Sequence, residues 1–113
     1  MQKFDKFEIN VEKKTVSNII NKVAEFKWEK LPDINNWSYG INKKVLKEIC
    51  NYWVNEYNWS NEQKKINKFH QYKAQVEDLN IHFIYEKGIS REAIPLLISH
   101  GWPGSFIEFK NKT

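Results

Sequence analysis

The sequence predicts an α/β protein: a helical meander over residues 1–70, then a strand-bearing segment over residues 71–113. Three observations predict it. Apolar residues recur at helical spacing at Val16, Ile19, Ile20 and Val23, and again at Val45, Leu46, Ile49, Trp53 and Tyr57. Further on, Tyr72, Ala74 and Val76 alternate with polar residues, as do Ile81, Phe83 and Tyr85. Last, the short continuous apolar run from Ala93 to Ile98 is followed by a Gly-Trp-Pro-Gly turn, the pattern of a buried strand leading into a βα turn.

Taken in order, Phe7, Ile9 and Val11 alternate with polar residues and suggest a short strand or extended segment. Thr15 is a candidate N-cap for the first helix, whose apolar face Phe26 extends. Residues Lys27 to Ile41 hold Pro32, Asp33, Asn35, Asn36 and Gly40 and read as a long loop. Trp28, Leu31, Trp37 and Tyr39 make that loop apolar, so it is expected to pack against something. Asn42 can cap a second helix running to about Tyr57. Ser60 and Gln63 fit a capping box opening a short third helix, with Ile66 and Phe69 on its buried side. The Tyr and Trp residues of these helices could form a stacking platform, but their helical spacing favours packing. Asp78-Leu79-Asn80 separates the two alternating runs of a β-hairpin. After a turn region from Lys87 to Glu92 comes the apolar run, in which Pro95 is tolerable near the strand start. Phe106-Ile107-Glu108-Phe109 then reads as the first turn of a helix.

Composition narrows the function. The chain has 113 residues, 41% hydrophobic and 15% aromatic, enough for one domain with a core. No apolar run approaches the roughly 20 residues of a membrane span, and the charged first ten residues are not those of a signal peptide. A cytoplasmic location is therefore expected. Cys50 stands alone, so neither a disulfide within the chain nor a cysteine-rich metal site is expected, and the plain reading is a reduced thiol. Three Asn-X-Ser/Thr triplets, beginning at Asn36, Asn58 and Asn111, are read as chance in an Asn-rich chain. The net charge of +4 invites a nucleic-acid reading. The 17 lysines, however, are dispersed among 14 acids, and Arg91 is the only arginine, so no nucleic-acid partner is expected.

One motif carries chemistry. His100-Gly101-Trp102-Pro103-Gly104-Ser105 joins a predicted strand to a predicted helix. Gly101 and Gly104 would let the backbone adopt conformations closed to other residues, and backbone amides there could face a developing negative charge. A tight βα turn with no ligand is the plain alternative.

That motif resembles the HGxP oxyanion turn of epoxide hydrolases of the α/β-hydrolase fold, and its Trp-Pro-Gly-Ser form looks like the microsomal branch, which includes juvenile hormone epoxide hydrolases. Other segments resemble the same family in the same order: Trp37-Ser38-Tyr39-Gly40, Tyr52-Trp53 through Tyr57-Asn58-Trp59, Asn67 through Phe69 with Gln71-Tyr72, and Leu79-Asn80-Ile81-His82-Phe83-Ile84. The likeness covers residues 7–109 and corresponds to the epoxide hydrolase N-terminal domain. Dehalogenases and proline iminopeptidases carry HGxP-like turns too, but the Trp37–Gly40 and Tyr52–Trp59 landmarks argue against them.

The resemblance implies opening of an epoxide by an aspartate nucleophile, followed by hydrolysis of the resulting ester by water that a His–acid pair activates. Lid tyrosines protonate the epoxide oxygen, and no cofactor or metal is needed. It implies that the Trp102 amide is the oxyanion donor, that His100, Gly101, Pro103 and Gly104 shape the turn, and that the bond before Pro103 is cis, an isomer that only X-Pro bonds reach at the low cost of about 0.5–1 kcal/mol. His100 is expected to bond backbone rather than to act as the base. No catalytic residue is expected among these 113: Asp5, Asp33 and Asp78 are not in a strand–turn–helix elbow, and neither His70 nor His82 is placed to activate water. The family nucleophile lies downstream of this turn. A small apolar epoxide would thus be a partner only of a longer enzyme, and this segment alone is expected to be inactive. Its hairpin would supply the first two strands of an incomplete α/β-hydrolase sheet, and the run near Leu96 a third. The strand that separates them in the family lies downstream, so with this chain expressed alone residues 94–113 are expected to be mobile, misplaced or aggregated. Membrane-anchored members carry an N-terminal hydrophobic helix that is not seen here, so no membrane anchor is expected. A non-catalytic module binding a partner or an apolar ligand is the alternative function.

Overall fold

The computed structural model describes residues 4–32 and 36–109. Residues 33–35 of the predicted loop, Asp33 among them, and the Asn111 triplet lie outside these. The chain forms two compact units, Met1–Ile9 with Gln63–Thr113, and Asn10–Glu62.

The second unit is helical. Helix α1 spans Lys13–Ala24 and α2 spans Lys43–Asn55. The two pack on each other through the half-buried Val16, Ile20 and Val23 on one side and apolar residues such as Val45 and Leu46 on the other. Asn42 caps α2 as predicted: its side chain accepts from the amides of Lys44 at 2.9 Å and Val45 at 3.4 Å. Thr15 does not cap α1. The cap position lies three residues earlier, at Glu12, which makes no side-chain cap bond. Nor does Ser60 open the third helix. Helix α3 spans Trp59–Ile66, and Asn58 caps it by accepting from the Asn61 amide at 3.0 Å.

In the loop before α2, residues Trp28–Lys30 make a 3₁₀ turn. The Trp28 ring meets Phe26 edge-on at 4.8 Å, and the Lys47 ammonium sits 5.7 Å from it. Trp37 and Tyr39, by contrast, are exposed, and Gly40 closes their turn at a φ of 127° that other residues avoid.

The first unit is built on an antiparallel sheet in the order β1-β2-β3: Phe4–Lys6, Gln71–Val76 and Leu79–Ile84. The hairpin is the predicted one, but its loop is Glu77-Asp78, with Leu79 and Asn80 already in the ladder opposite Val76 and Gln75. The predicted alternation at Phe7, Ile9 and Val11 lies just past β1, and Phe7 continues the pairing through its amide to the Gln71 carbonyl at 2.9 Å. Because strand side chains alternate, the register sorts the sheet into two faces. Phe4, Tyr72 and Phe83 form an aromatic cluster on one, with centroids 5.2–5.9 Å apart. The other carries Asp5, Gln71, Lys73 and His82. At the hairpin's open end, Glu86 accepts from the His70 amide at 2.9 Å and contacts its ring at 2.7 Å. Partial burial pushes the Glu86 carboxyl up, but the bonds and charge of His70 outweigh it and hold the group below its ordinary value.

Two expectations fail here. The run Ala93–Ile98 forms no strand and is not buried: Ile94 is 89% exposed, Leu96 81% and Leu97 96%. Among the described residues it has no ladder neighbour, and a strand without one cannot satisfy its backbone except with water. An apolar core is also absent among the described residues, where Gln71, at 3% exposed, is the sole buried side chain. A single sheet and a pair of short helices each leave one apolar face uncovered. No helix among the described residues is long and apolar enough to cross a membrane.

Candidate functional site

The turn from His100 to Ser105 is exposed at His100, Gly101, Trp102 and Pro103, and half-buried at Gly104 and Ser105. The Trp102–Pro103 peptide is cis. The Gly104 amide closes the turn onto the Gly101 carbonyl at 2.7 Å. His100 bonds backbone, its Nδ1 donating to the Gly101 carbonyl at 3.4 Å. Neither Gly101 nor Gly104 takes a positive φ, so the reason for glycine is not the conformational freedom expected. At Gly104 it is space: a Cβ there would run into the Glu108 carboxylate and lie 2.9 Å from the Gly101 carbonyl oxygen. At Gly101 nothing lies within reach of a Cβ.

A 3₁₀ turn, Phe106–Phe109, follows. A reciprocal capping box sets its start. Ser105 Oγ accepts from the Ile107 amide at 3.4 Å, while Glu108 Oε1 reaches back to the Ser105 amide at 3.3 Å. The Glu108 carboxylate thus occupies the Ser105 donor. The Trp102 amide has no protein acceptor among the described residues, and Trp102 is 95% exposed. The sequence signal for this arrangement is the spacing Ser105-x-x-Glu108, a capping-box pattern beyond the motif singled out for its glycines.

Next to this turn lies a polar network around Gln71. Asn67 clasps the backbone of Ile9 from both sides, accepting from its amide at 3.0 Å and donating to its carbonyl at 2.8 Å. Gln71 Nε2 donates to Asn67 Oδ1 at 3.0 Å and to the Ile66 carbonyl at 3.2 Å. Its Oε1 is left to accept, so His82 Nε2, at 3.0 Å, carries the proton. The His82 ring meets Phe7 at 5.4 Å and Phe106 at 4.9 Å, both edge-on. Burial, and secondarily the nearby Lys73 ammonium, lower its pKa from the ordinary 6.5. The unfolded chain therefore takes up a proton more readily than the folded one. Stability is full above the ordinary value and falls as pH drops from there toward the lowered folded value.

A sequence profile of the family described as "Epoxide hydrolase N terminus" matches residues 4–109. The chain belongs to that family. It is 35% identical over 106 residues to juvenile hormone epoxide hydrolase 1 of Ctenocephalides felis, covering 91% of this chain and 23% of that protein. To epoxide hydrolase 1 of Sus scrofa it is 33% identical over 107 residues, covering 91% and 24%. Among solved structures, juvenile hormone epoxide hydrolase of Bombyx mori superposes with a TM-score of 0.77 at 29% identity, covering 96% of this chain and 30% of that one. The epoxide hydrolase of Aspergillus niger does so with a TM-score of 0.82 at 26% identity, covering 95% and 29%. The chain spans about a quarter of the length of the curated relatives it matches.

The structure of this epoxide hydrolase N-terminal domain keeps His100, Gly101, Trp102, Pro103 and Gly104 together in one turn, exposed as far as Pro103. Among the described residues it does not bring an aspartate nucleophile to them. Asp5 lies in β1 and Asp78 in the hairpin loop. Glu108 is the carboxylate at the turn, and its hydrogen bond to the Ser105 amide gives it a structural task. Among the described residues no group of three or more His, Cys, Asp or Glu side chains could hold a metal ion.

Proposed function

We propose that this domain serves an epoxide hydrolase that converts an epoxide and water to a vicinal diol, and that its turn at residues 100–104 stabilises the oxyanion formed when the aspartyl ester is hydrolysed. The observation that carries the reading is the Trp102 amide, a backbone donor without a protein acceptor among the described residues, in a turn of the family's sequence. A donor held in place before the reaction needs no reorganisation as charge builds on the ester oxygen. In this reading the nucleophile, the His–acid pair and the lid tyrosines come from the remainder of the enzyme. The substrate is a small apolar epoxide, no cofactor takes part, no nucleic acid is bound, and the enzyme is cytoplasmic.

Replacing the Trp102 amide by an ester, in the enzyme that carries this domain, tests the role of the donor. Formation of the covalent intermediate should be little changed. Its hydrolysis should slow by about 10²- to 10³-fold, the cost of losing one oxyanion donor. Equal slowing of both steps, or of neither, would overturn the assignment of Trp102. A second reading, a module binding an apolar ligand, is favoured by an open hollow of about 260 Å³ lined by Ile49, Tyr52, Trp53 and Tyr57. Saturable binding of an apolar fluorophore, lost in Trp53→Ala, would support it.

A further inference from the structure

Between the turn and the sheet stands a residue that no hydrolytic step uses. His82 lies at the centre of β3, opposite Lys73 of β2, with Asn80 and Ile84 flanking it on the same strand face. Its Nε2 donates to Gln71, the buried residue, which in turn holds Asn67 and the Ile66 carbonyl. Its ring lies edge-on to Phe106, the residue that directly follows the His100–Ser105 turn and opens the 3₁₀ turn. Phe106 is half-buried, whereas the four residues from His100 to Pro103 are exposed. The His82–Phe106 contact therefore ties a largely solvent-facing turn to the sheet.

We propose that His82 is a positioning residue for the His100–Ser105 turn, joined to the turn through Phe106 and to the rest of its unit through Gln71. Ring-on-ring contact fixes where Phe106 sits, and the capping box between Ser105 and Glu108 carries that position back to Gly104, whose amide is bonded to Gly101. Gln71 fixes the orientation of the imidazole, because its amide nitrogen is already committed and only its oxygen is free to accept. The catalytic meaning of this role rests on the oxyanion reading above, whereas the mechanical coupling does not.

A charge placed on the ring should disturb the coupling. The groups facing His82 are the Lys73 ammonium and the Gln71 amide from β2, Phe7 from the segment after β1, and Phe106 from the 3₁₀ turn. Asp5 of β1 lies one strand further, opposite Lys73, and Glu108 lies two residues beyond Phe106. The Lys73 ammonium sits 3.9 Å from the Phe7 ring centroid, so the neighbouring cation is held on this side of the sheet.

The test is a titration of the isotopically labelled chain followed by amide and imidazole resonances, from about pH 8 to about pH 5, above the ordinary carboxylate range. The Gly104, Ser105 and Phe106 amides should show a step at the midpoint read from the His82 ring protons. His82→Gln should abolish that step while Tyr72 and Phe83, on the opposite face, keep their resonances. Phe106→Leu leaves the Gln71 network intact and removes the ring contact, so His82 should still titrate and the turn should no longer follow it. This variant carries the test if His82→Gln does not fold. Turn amides that do not follow His82 in the unmodified chain, or that keep the step in Phe106→Leu, overturn the proposal. Neither result bears on whether the Trp102 amide serves an oxyanion, which the ester substitution reads separately.

Discussion

Two segments of this chain have strand-like sequences, and only one of them is a strand. From Gln71 to Ile84 the chain is a fully registered hairpin, flanked by a third strand and anchored by the buried Gln71 amide. From Ala93 to Ile98 it is more apolar, yet it makes no ladder and its leucines stand in solvent. Local sequence supplies the propensity to be extended; a neighbour supplies the ladder. The hairpin brings its neighbour with it two residues later, whereas no described residue forms a ladder with the second run.

The largest difference should appear in amide exchange. Hairpin amides bonded across β2 and β3 should be protected by about 10³-fold or more relative to free peptide, since ladder positions open only with sub-global unfolding. The amides of Ile94, Leu96, Leu97 and Ile98 should exchange within about tenfold of the free rate. Comparable protection in the two segments, in a monomer, would mean that the second run has found a partner and would break the contrast.

A smaller effect, about 1–2 kcal/mol, is expected from Gln71→Leu. The substitution keeps the bulk and removes two donors and an acceptor: His82 Nε2 loses its acceptor, while the Ile66 carbonyl keeps the Phe69 amide and Asn67 Oδ1 keeps the Ile9 amide. A donor orphaned in the interior costs about 1–3 kcal/mol, and the half-burial of His82 lets water recover part of it. A lowered urea midpoint at unchanged slope would report it. Residues 93–98 should be indifferent. If their exchange changed as well, the network would be holding both segments.

These contrasts show what could be read in advance. The hairpin, the Asn42 cap and the helical stripe of α2 were legible because their causes are local: period two, period 3.6, and a side chain bonding amides two and three residues on. The turn at His100–Gly104 was legible through its likeness to a family rather than through physics, and the need for glycine at Gly104 is steric rather than conformational. What could not be read is non-local. Asn67 clasps Ile9 across 58 residues, and nothing in the neighbourhood of either residue marks the pairing. Gln71, polar and at the start of a strand, looks like a surface residue until Asn67 and His82 are placed around it. The Ser105–Glu108 box is local, and its signal is the spacing Ser-x-x-Glu just beyond the glycines.

The smallest effect sharpens the comparison from the hairpin's side. Glu77 is the described non-glycine residue with a positive φ, at 53°, and it occupies the first of the two loop positions between Val76 and Leu79. A positive φ at the first position alone is the II′ pattern, which glycine fits best. An L-residue there gives up about 1–2 kcal/mol to the clash of its Cβ with the carbonyl. Glycine removes the clash, yet has more backbone freedom to lose on folding, about 0.5–1 kcal/mol. Glu77→Gly should therefore stabilise the hairpin by about 0.5–1 kcal/mol, read as a raised urea midpoint. The Gln75 side chain, which bonds the Glu77 carbonyl at 3.3 Å, keeps its acceptor because that acceptor is backbone. If ladder strength is set by the hairpin alone, protection should rise for β2 and β3 and stay unchanged for residues 93–98. A gain in both would show that the exposed run borrows stability from the sheet.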